Sequence, residues 1–167
     1  MYEEIDAYVD GSYNKKLHMC AYGVILIHNE ELIEKRSGFV TDPGYCNMRN
    51  VGGEILSSTE AMKYAYENSI KKINIYYDYT GISEWALGGW KCNNQYTTKY
   101  KEDYDFYKTK MDIHFCKVKS HSGVYYNDLV DQLAKESCLI GVDVKNLLGN
   151  PKKKKSKHHL SGGKNGK

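Results

Sequence analysis

The sequence predicts an α/β domain on a five-stranded mixed sheet, three antiparallel strands followed by parallel ones, with helices on its faces. Three observations lead there. The first forty residues carry strand-like apolar patterns, and the remainder alternates short apolar strands with amphipathic stretches. Two distant strands also end alike, Ala7-Tyr8-Val9-Asp10 and Ile75-Tyr76-Tyr77-Asp78.

Residues 4–10 set Ile5, Ala7 and Val9 against Asp6, Tyr8 and Asp10, the period of two of a half-buried strand. Residues 19–28 (MCAYGVILIH) are a long apolar run, and the break at His28-Asn29-Glu30-Glu31 before 32–40 reads as a hairpin. A Gly-, Pro- and Asn-containing loop is expected over 41–53. A helix from Glu54 to Glu67 then places Ile55, Thr59, Met62 and Tyr66 on one face. Residues 72–78 return to a strand, 81–88 form a short helix, and Thr97–Lys110 a longer, charged one. Ile113–Val118 is the last strand. Asn127–Leu139 is the last helix, with Asn127 as its N-cap and Val130, Leu133, Ala134 and Ser137 or Cys138 facing inward.

The length of 167 residues suits one domain, expected over 1–145, followed by a Lys-rich tail, 146–167, expected to be disordered. Seven of the 24 Lys and Arg lie in 151–167 with none of the 21 acids. Residues 1–150 therefore hold 17 basic and 21 acidic residues, a net of −4. Such an acidic body must recruit metal ions or local Lys/Arg clusters before it can hold phosphates. The tail lysines could raise salt-sensitive affinity for nucleic acid, or be dispensable; composition does not separate the two. Five scattered cysteines lack zinc spacing and read as small buried thiols. The sixteen tyrosines are ascribed to compositional bias. No apolar run approaches the ~18 residues that would span a bilayer. Met1-Tyr2-Glu3-Glu4 is unlike a signal peptide, so a cytoplasmic location is expected.

The chemistry is expected from carboxylates. If the strands ending in Asp10 and Asp78 lie parallel and adjacent, both side chains leave the same sheet edge, where α/β folds bind ligands. Two carboxylates so close repel unless a cation bridges them. Glu54 opens a helix after Gly52-Gly53, Asp131 lies early in the last helix, and His121 sits in the loop Ser120-His121-Ser122-Gly123, suited to moving protons. Singly, each has an ordinary reading: a solvated turn, a helix-start charge, a loop histidine. Their joint placement carries the argument.

That placement resembles the type 1 ribonuclease H family. The matching segments are Tyr8-Val9-Asp10-Gly11-Ser12, Arg49-Asn50-Val51-Gly52-Gly53-Glu54, Ile75-Tyr76-Tyr77-Asp78-Tyr79 and Val118-Lys119-Ser120-His121-Ser122-Gly123, continued by Asn127-Asp128-Leu129-Val130-Asp131. RNVGGE and GISEWALGGWK look most like the bacterial branch whose members often carry a viroplasmin-type hybrid-binding domain; no such domain is seen here. The resemblance implies the ribonuclease H-like fold and cleavage of the RNA strand of RNA–DNA hybrids, without sequence specificity. It implies two Mg²⁺ ions, with Mn²⁺ a possible substitute, held by Asp10, Glu54, Asp78 and Asp131, and products with 5′-phosphate and 3′-hydroxyl ends. His121 would assist proton transfer or product departure. Gly11 and Ser12, through their backbones, together with Asn50 and Glu54, would meet the RNA strand, where the 2′-hydroxyl marks RNA. Trp85, Trp90 and Lys91 are candidates against the DNA backbone, with tryptophan packing the equal alternative.

Two departures stand out. Many relatives have two asparagines before the Glu, whereas here only Asn50 is found. The basic helix that some relatives insert between the segments matching Trp85 and Gly89-Trp90-Lys91 is missing. The competing readings are another nuclease or transferase of the same fold acting on DNA, a catalytically silent hybrid-binding module, and a structural domain beside a reverse transcriptase. The first is disfavoured by the Gly-Gly-Glu context of Glu54 and the interval from His121 to Asp131, the second by the presence of all four carboxylates. The third has no partner domain in the sequence to support it. A monomer is the expected state.

Overall fold

Alternation along the first strand drives the architecture. Ile5, Ala7 and Val9 join one core with Val24 and Leu26 of the neighbouring strand, while Tyr8 packs with Ile25 and Ile27 on the opposite face. The structure, a computed structural model, describes residues 2–119 and 125–149. β1 (Glu4–Asn14), β2 (Met19–His28) and β3 (Glu31–Val40) form an antiparallel meander. β4 (Lys72–Tyr77) pairs parallel to β1, and β5 (Asp112–Lys117) parallel to β4, giving the order β3-β2-β1-β4-β5. The predicted mixed sheet is thus present. Its β2–β3 turn takes positive φ at Asn29 (49°) and Glu30 (65°), as two-residue hairpin turns require.

Helices cover both faces. α2 (Asn50–Glu67) lays Ile55, Ala61, Met62 and Ala65 over the core formed with β1, β2 and β4. α3 (Gly81–Leu87) and α4 (Gln95–Tyr107) complete that side. The buried Tyr100 hydroxyl of α4 donates to the Ile82 carbonyl of α3 at 2.8 Å. α5 (Tyr125–Gly149) crosses the other face over β1, β2 and β3, with Val130 and Ala134 fully buried.

Several boundaries differ from the sequence expectation. The expected loop over 41–53 contains a short helix, α1 (Pro43–Asn47), capped by the Asp42 carboxylate accepting from Gly44 N–H at 2.8 Å. α2 begins at Asn50, four residues before Glu54, because Gly52 and Gly53 serve as contact surface rather than as a break. Tyr66 is 45% exposed rather than core; Ala61 and Ala65 take the buried positions. The last helix starts at Tyr125, so Asn127 lies inside it and is not its cap. It also runs ten residues past Leu139. Gly141 does not end it but lets it press on Met19 and Phe39, where a Cβ would lie 2.3 Å from Met19 Sδ. The helix continues past residue 145; the Lys-rich segment from residue 150 lies outside the described residues.

Candidate active site

β1 and β4 run side by side in the register Tyr8↔Tyr76, and these two rings stack at 4.5 Å with a 9° interplanar angle. Asp10 and Asp78 each lie two residues beyond this last pair, Asp10 within β1 and Asp78 just after the end of β4. The backbone N–H of Gly11 donates to Asp10 Oδ1 at 2.8 Å.

Glu54 reaches this pair through a contact of glycine on glycine. A Cβ on Gly53 would stand 2.0 Å from the Ala21 carbonyl oxygen and 2.9 Å from Gly11 Cα; one on Gly11 would stand 2.1 Å from the Asn50 carbonyl oxygen. Helix and sheet backbones meet here with no side chain between them, so the first turn of α2 carries Glu54 directly beside the strand ends. Arg49, just before the helix, takes φ 59° and ψ −135°, a conformation rare outside glycine. The Glu54 side chain is 2% exposed. Its Oε2 accepts from the backbone N–H of Asp78 at 2.9 Å and of Tyr79 at 3.2 Å, which ties α2 to the end of β4.

Asp131 arrives from the opposite face. Gly23, the cross-strand partner of Asp10, sits under α5, where a Cβ would lie 3.0 Å from Ala134 N and 3.1 Å from Val130 O. This close approach brings the Asp131 carboxyl within hydrogen-bonding reach of Asp10. Asp131 Oδ2 also pairs with Lys135 Nζ at 3.0 Å, one turn along the helix.

Burial pushes the Asp10 carboxyl up to about 8, with the neighbouring charges of Glu54 and Asp131 adding to the shift and the Gly11 N–H opposing it. Burial likewise pushes Glu54 up to about 7. The two backbone N–H groups oppose that shift, the Asp78 charge adds to it, and Lys117 opposes it. Among the described residues, no three His, Cys, Asp or Glu side chains form a ready-made metal-ligand cluster. Glu54 is held by backbone amides and Asp131 by Lys135. Asp10 neighbours Glu54 and Asp131, and Glu54 neighbours Asp78, yet Glu54 and Asp131 are each also bonded to a protein donor.

The remaining expected residues divide. Gly11 forms the close contact with α2, and Asn50 is exposed at the start of that helix. The Ser12 side chain is turned to the Cys138 thiol beneath α5, which leaves its backbone for any substrate contact. Trp90 is 40% exposed and packs against Trp85 and Tyr79 at ring-centroid distances of 5.7 and 6.0 Å. Lys91 is exposed beside it, and only the loop 88–94 joins α3 to α4, with no inserted basic helix. His121 lies outside the described residues. The sequence reading missed Lys135, although its i,i+4 spacing from Asp131 was legible. It also missed the Tyr79 backbone as a partner of Glu54, for which no sequence signal exists.

A sheet of this order, carrying carboxylates at the ends of adjacent parallel strands and on two flanking helices, describes a ribonuclease H-like domain. The RNase H family profile matches residues 2–139, and the chain belongs to that family. It is therefore a hydrolase of the ribonuclease type. The chain is 28% identical over 148 residues to a ribonuclease H of Pseudoalteromonas translucida (strain TAC 125), covering 82% of this chain and 91% of that protein. Its fold is similar to RNase H1 of the halophilic archaeon Halobacterium salinarum NRC-1, with a TM-score of 0.67 and 18% identity over 80% of this chain and 96% of that one. It is also similar to the N-terminal RNase H domain of a Mycobacterium tuberculosis protein, with a TM-score of 0.71 and 13% identity over 84% and 97%. A third similar structure is LC11-RNase H1, solved in complex with an RNA/DNA hybrid, with a TM-score of 0.67 and 13% identity over 83% and 99%. No helix among the described residues is long and apolar enough to cross a membrane.

Proposed function

We propose that this chain hydrolyses the RNA strand of RNA–DNA hybrids endonucleolytically, with two divalent cations held by Asp10, Glu54, Asp78 and Asp131. The observation that supports the reading most is the buried Asp10 carboxyl beside Glu54 and Asp131, with Glu54 tied to the end of β4 at Asp78, in a chain of the RNase H family. Asp10 supports the cation requirement independently. A buried carboxyl beside two other carboxylates is driven toward protonation, and a cation bound among them would relieve both burial and repulsion. The donors are all carboxylate oxygens, which suits Mg²⁺, with Mn²⁺ as a substitute. Bound there, a pair of such ions supplies water activation and charge stabilisation of the leaving 3′ oxygen, giving 5′-phosphate and 3′-hydroxyl products.

The chain's own residues do the rest. Glu54, locked by the Asp78 and Tyr79 amides, fixes the helix-borne carboxylate against the sheet. Lys135 holds Asp131 on the α5 side. The Gly11 and Ser12 backbone, with Asn50 at the start of α2, lies where the RNA strand would be read at its 2′-hydroxyls. Trp90 and Lys91, both exposed, are assigned to the DNA strand. Such contacts address the backbone, so no sequence preference follows. His121 is assigned to assisting proton transfer or product departure. Residues 1–145 constitute the catalytic domain in this reading, acting as a monomer in the cytoplasm.

The test uses a labelled RNA annealed to DNA, incubated with protein and Mg²⁺ or Mn²⁺, beside single-stranded RNA, duplex RNA, duplex DNA and the Asp10→Asn variant. Cutting of the hybrid's RNA alone, lost in the variant, is the expected result. Binding without cutting in either metal would make the chain a silent binding module, and cutting of DNA would overturn the substrate.

A further inference from the structure

Two buried thiols face each other beside the contact that positions Glu54. Cys46, on the inner side of α1, and Cys20, in β2, are both fully buried and both free. Their Sγ atoms lie 3.8 Å apart, and the Cys46 thiol also donates to the Val40 carbonyl at 3.4 Å. Cys138, the third buried cysteine, comes from α5 on the other face of the sheet and is turned to the Met19 carbonyl at 3.8 Å.

The backbones that carry the facing thiols are the ones on which α2 rests. Ala21, next to Cys20, sets its carbonyl oxygen against Gly53, 2.0 Å from where a Cβ would stand. Tyr45, next to Cys46, does the same to Gly52 at 2.2 Å. The Cys46 carbonyl accepts from Arg49 N–H at 3.0 Å, just before α2 begins. A bond between the two sulfurs would therefore join both supports of the helix turn that carries Glu54.

The partners differ in freedom to move. β2 is hydrogen-bonded to β1 and β3 along its length, so Cys20 is fixed in the sheet. α1 has five residues, and Asp42, Pro43 and Asn47 are exposed around Cys46. The Tyr96 hydroxyl holds this helix by donating to the Asp42 carboxylate at 2.8 Å. Lifting of α1 would open Cys46 to solvent, while burial pushes the Cys20 thiol up and keeps it protonated.

We propose that Cys20 and Cys46 are an oxidation site, closed to a disulfide by a low-molecular-mass disulfide, and that the closed form slows cleavage by moving the start of α2. For its effect on cleavage this rests on the reading of the chain as a hybrid-cutting ribonuclease. The Cys46 thiolate attacks one sulfur of the oxidant, whose other half leaves as a thiol. Cys20 then displaces the remaining half from Cys46, losing its proton as the new S–S bond forms. One S–S bond breaks and one forms; the cysteines lose two electrons and two protons, and the oxidant departs as two thiols. A disulfide holds its sulfurs at about 2.05 Å, so the pair closes by about 1.75 Å from its 3.8 Å. With β2 fixed, the movement falls on α1 and draws Tyr45 and Arg49 with it.

The experiment incubates the full chain with oxidised glutathione and then removes the oxidant. Intact mass and non-reduced peptide mapping read the product, and thermal unfolding and hybrid cleavage in Mg²⁺ are followed before and after dithiothreitol. The expected product is lighter by two hydrogens and linked between the peptides of Cys20 and Cys46. Its kcat should fall at least about tenfold, within the ~100-fold that a ~1 Å misplacement can cost, and recover on reduction. Its melting temperature should rise by about 5–15 °C, because the bond closes a loop between residues 26 apart, which separates the lost activity from unfolding. Cys20→Ala and Cys46→Ala should each cleave without responding to the oxidant, and Cys116→Ala should respond as the unsubstituted chain does. A chain that gains only glutathione, or links other cysteines, would overturn the site. A chain linked at Cys20 and Cys46 with unchanged kcat would overturn the control of cleavage. Failure of the reduced chain to cut the hybrid would instead remove the functional reading, with mapping and melting still deciding the cross-link.

Discussion

Replacing Gly53 by Ala tests whether backbone contact, rather than any side chain, sets the position of Glu54. The new methyl would start 2.0 Å from the Ala21 carbonyl oxygen, whereas ordinary contact begins at 3.4 Å, so α2 must retreat by about 1.4 Å. The obstacle is backbone of the central sheet and cannot swing aside. Overpacking of this kind costs about 1–3 kcal/mol, offset by up to about 1 kcal/mol of better helix propensity. The net loss is about 0–3 kcal/mol, so at 2–4 °C per kcal/mol for a domain of this size the melting temperature should fall by up to about 12 °C. Glu54 moves with its helix, and a misplacement of ~1 Å in a catalytic constellation can cost ~100-fold in rate. Cleavage of a labelled hybrid at saturating substrate, read beside thermal unfolding, gives both quantities. Gly89→Ala is the control, because its methyl meets only the Glu84 carboxylate at 2.0 Å, the far end of a flexible side chain. Wild-type activity in Gly53→Ala would refute the argument that this contact positions the site.

Three further outcomes follow from the same geometry. In EDTA, stability should fall as pH rises from about 4.5 to 7, because native Glu54 holds its proton to about 7 and the unfolded chain releases it near 4.5. Glu54's share of that window is worth at most about 3 kcal/mol at 1.36 kcal/mol per factor of ten; Asp10, raised to about 8, adds a similar slope, so Glu54→Gln should roughly halve the steepness, and an equally steep profile in the variant would count against burial of Glu54 as a cause. Divalent cation should raise the melting temperature more at pH 8 than at pH 5.5, since native Asp10 is protonated at the lower value, and differential scanning fluorimetry with and without Mg²⁺ reads the difference. Lys135→Met should lower hybrid cleavage by several-fold while changing stability by under about 1 kcal/mol, the usual range for an exposed pair, as measured by initial rates and urea unfolding.

Sequence patterns revealed the sheet and the site to different depths. The alternation Ile5, Ala7, Val9 and the shared phase of Tyr8 with Asp10 and Tyr76 with Asp78 were enough to predict parallel neighbours, and the register Tyr8↔Tyr76 bears out that pairing. Helix ends were harder. Gly52, Gly53 and Gly141 read locally as breakers, yet each is a point where helix backbone or small side-chain volume meets another element. A tertiary contact supplies what the local propensity lacks. Tyr66 fits the apolar spacing of α2 but is half-exposed, its ring packed against Phe106 and Tyr107 of α4. Likewise, Glu54 could be recognised as a candidate carboxylate, but its two amide partners depend on how β4 ends and have no counterpart in residue spacing.

The placement of β1 bears on which part of the site is lost first when the protein opens. β1 is bonded on both edges, antiparallel to β2 and parallel to β4, and is covered by α2 on one face and α5 on the other. Amide protons around Asp10 therefore exchange with solvent only when the whole domain unfolds. α5, by contrast, makes its main contacts with β1, β2 and β3 alone, so its lifting as a unit, with Asp131, is the expected first opening. Partial opening would leave Asp10, Glu54 and Asp78 assembled and remove Asp131 alone, a form with most of its fold and none of its complete carboxylate set. Protection from deuterium exchange, mapped along the chain, should therefore step down from β1 to α5 well before activity is lost through global unfolding.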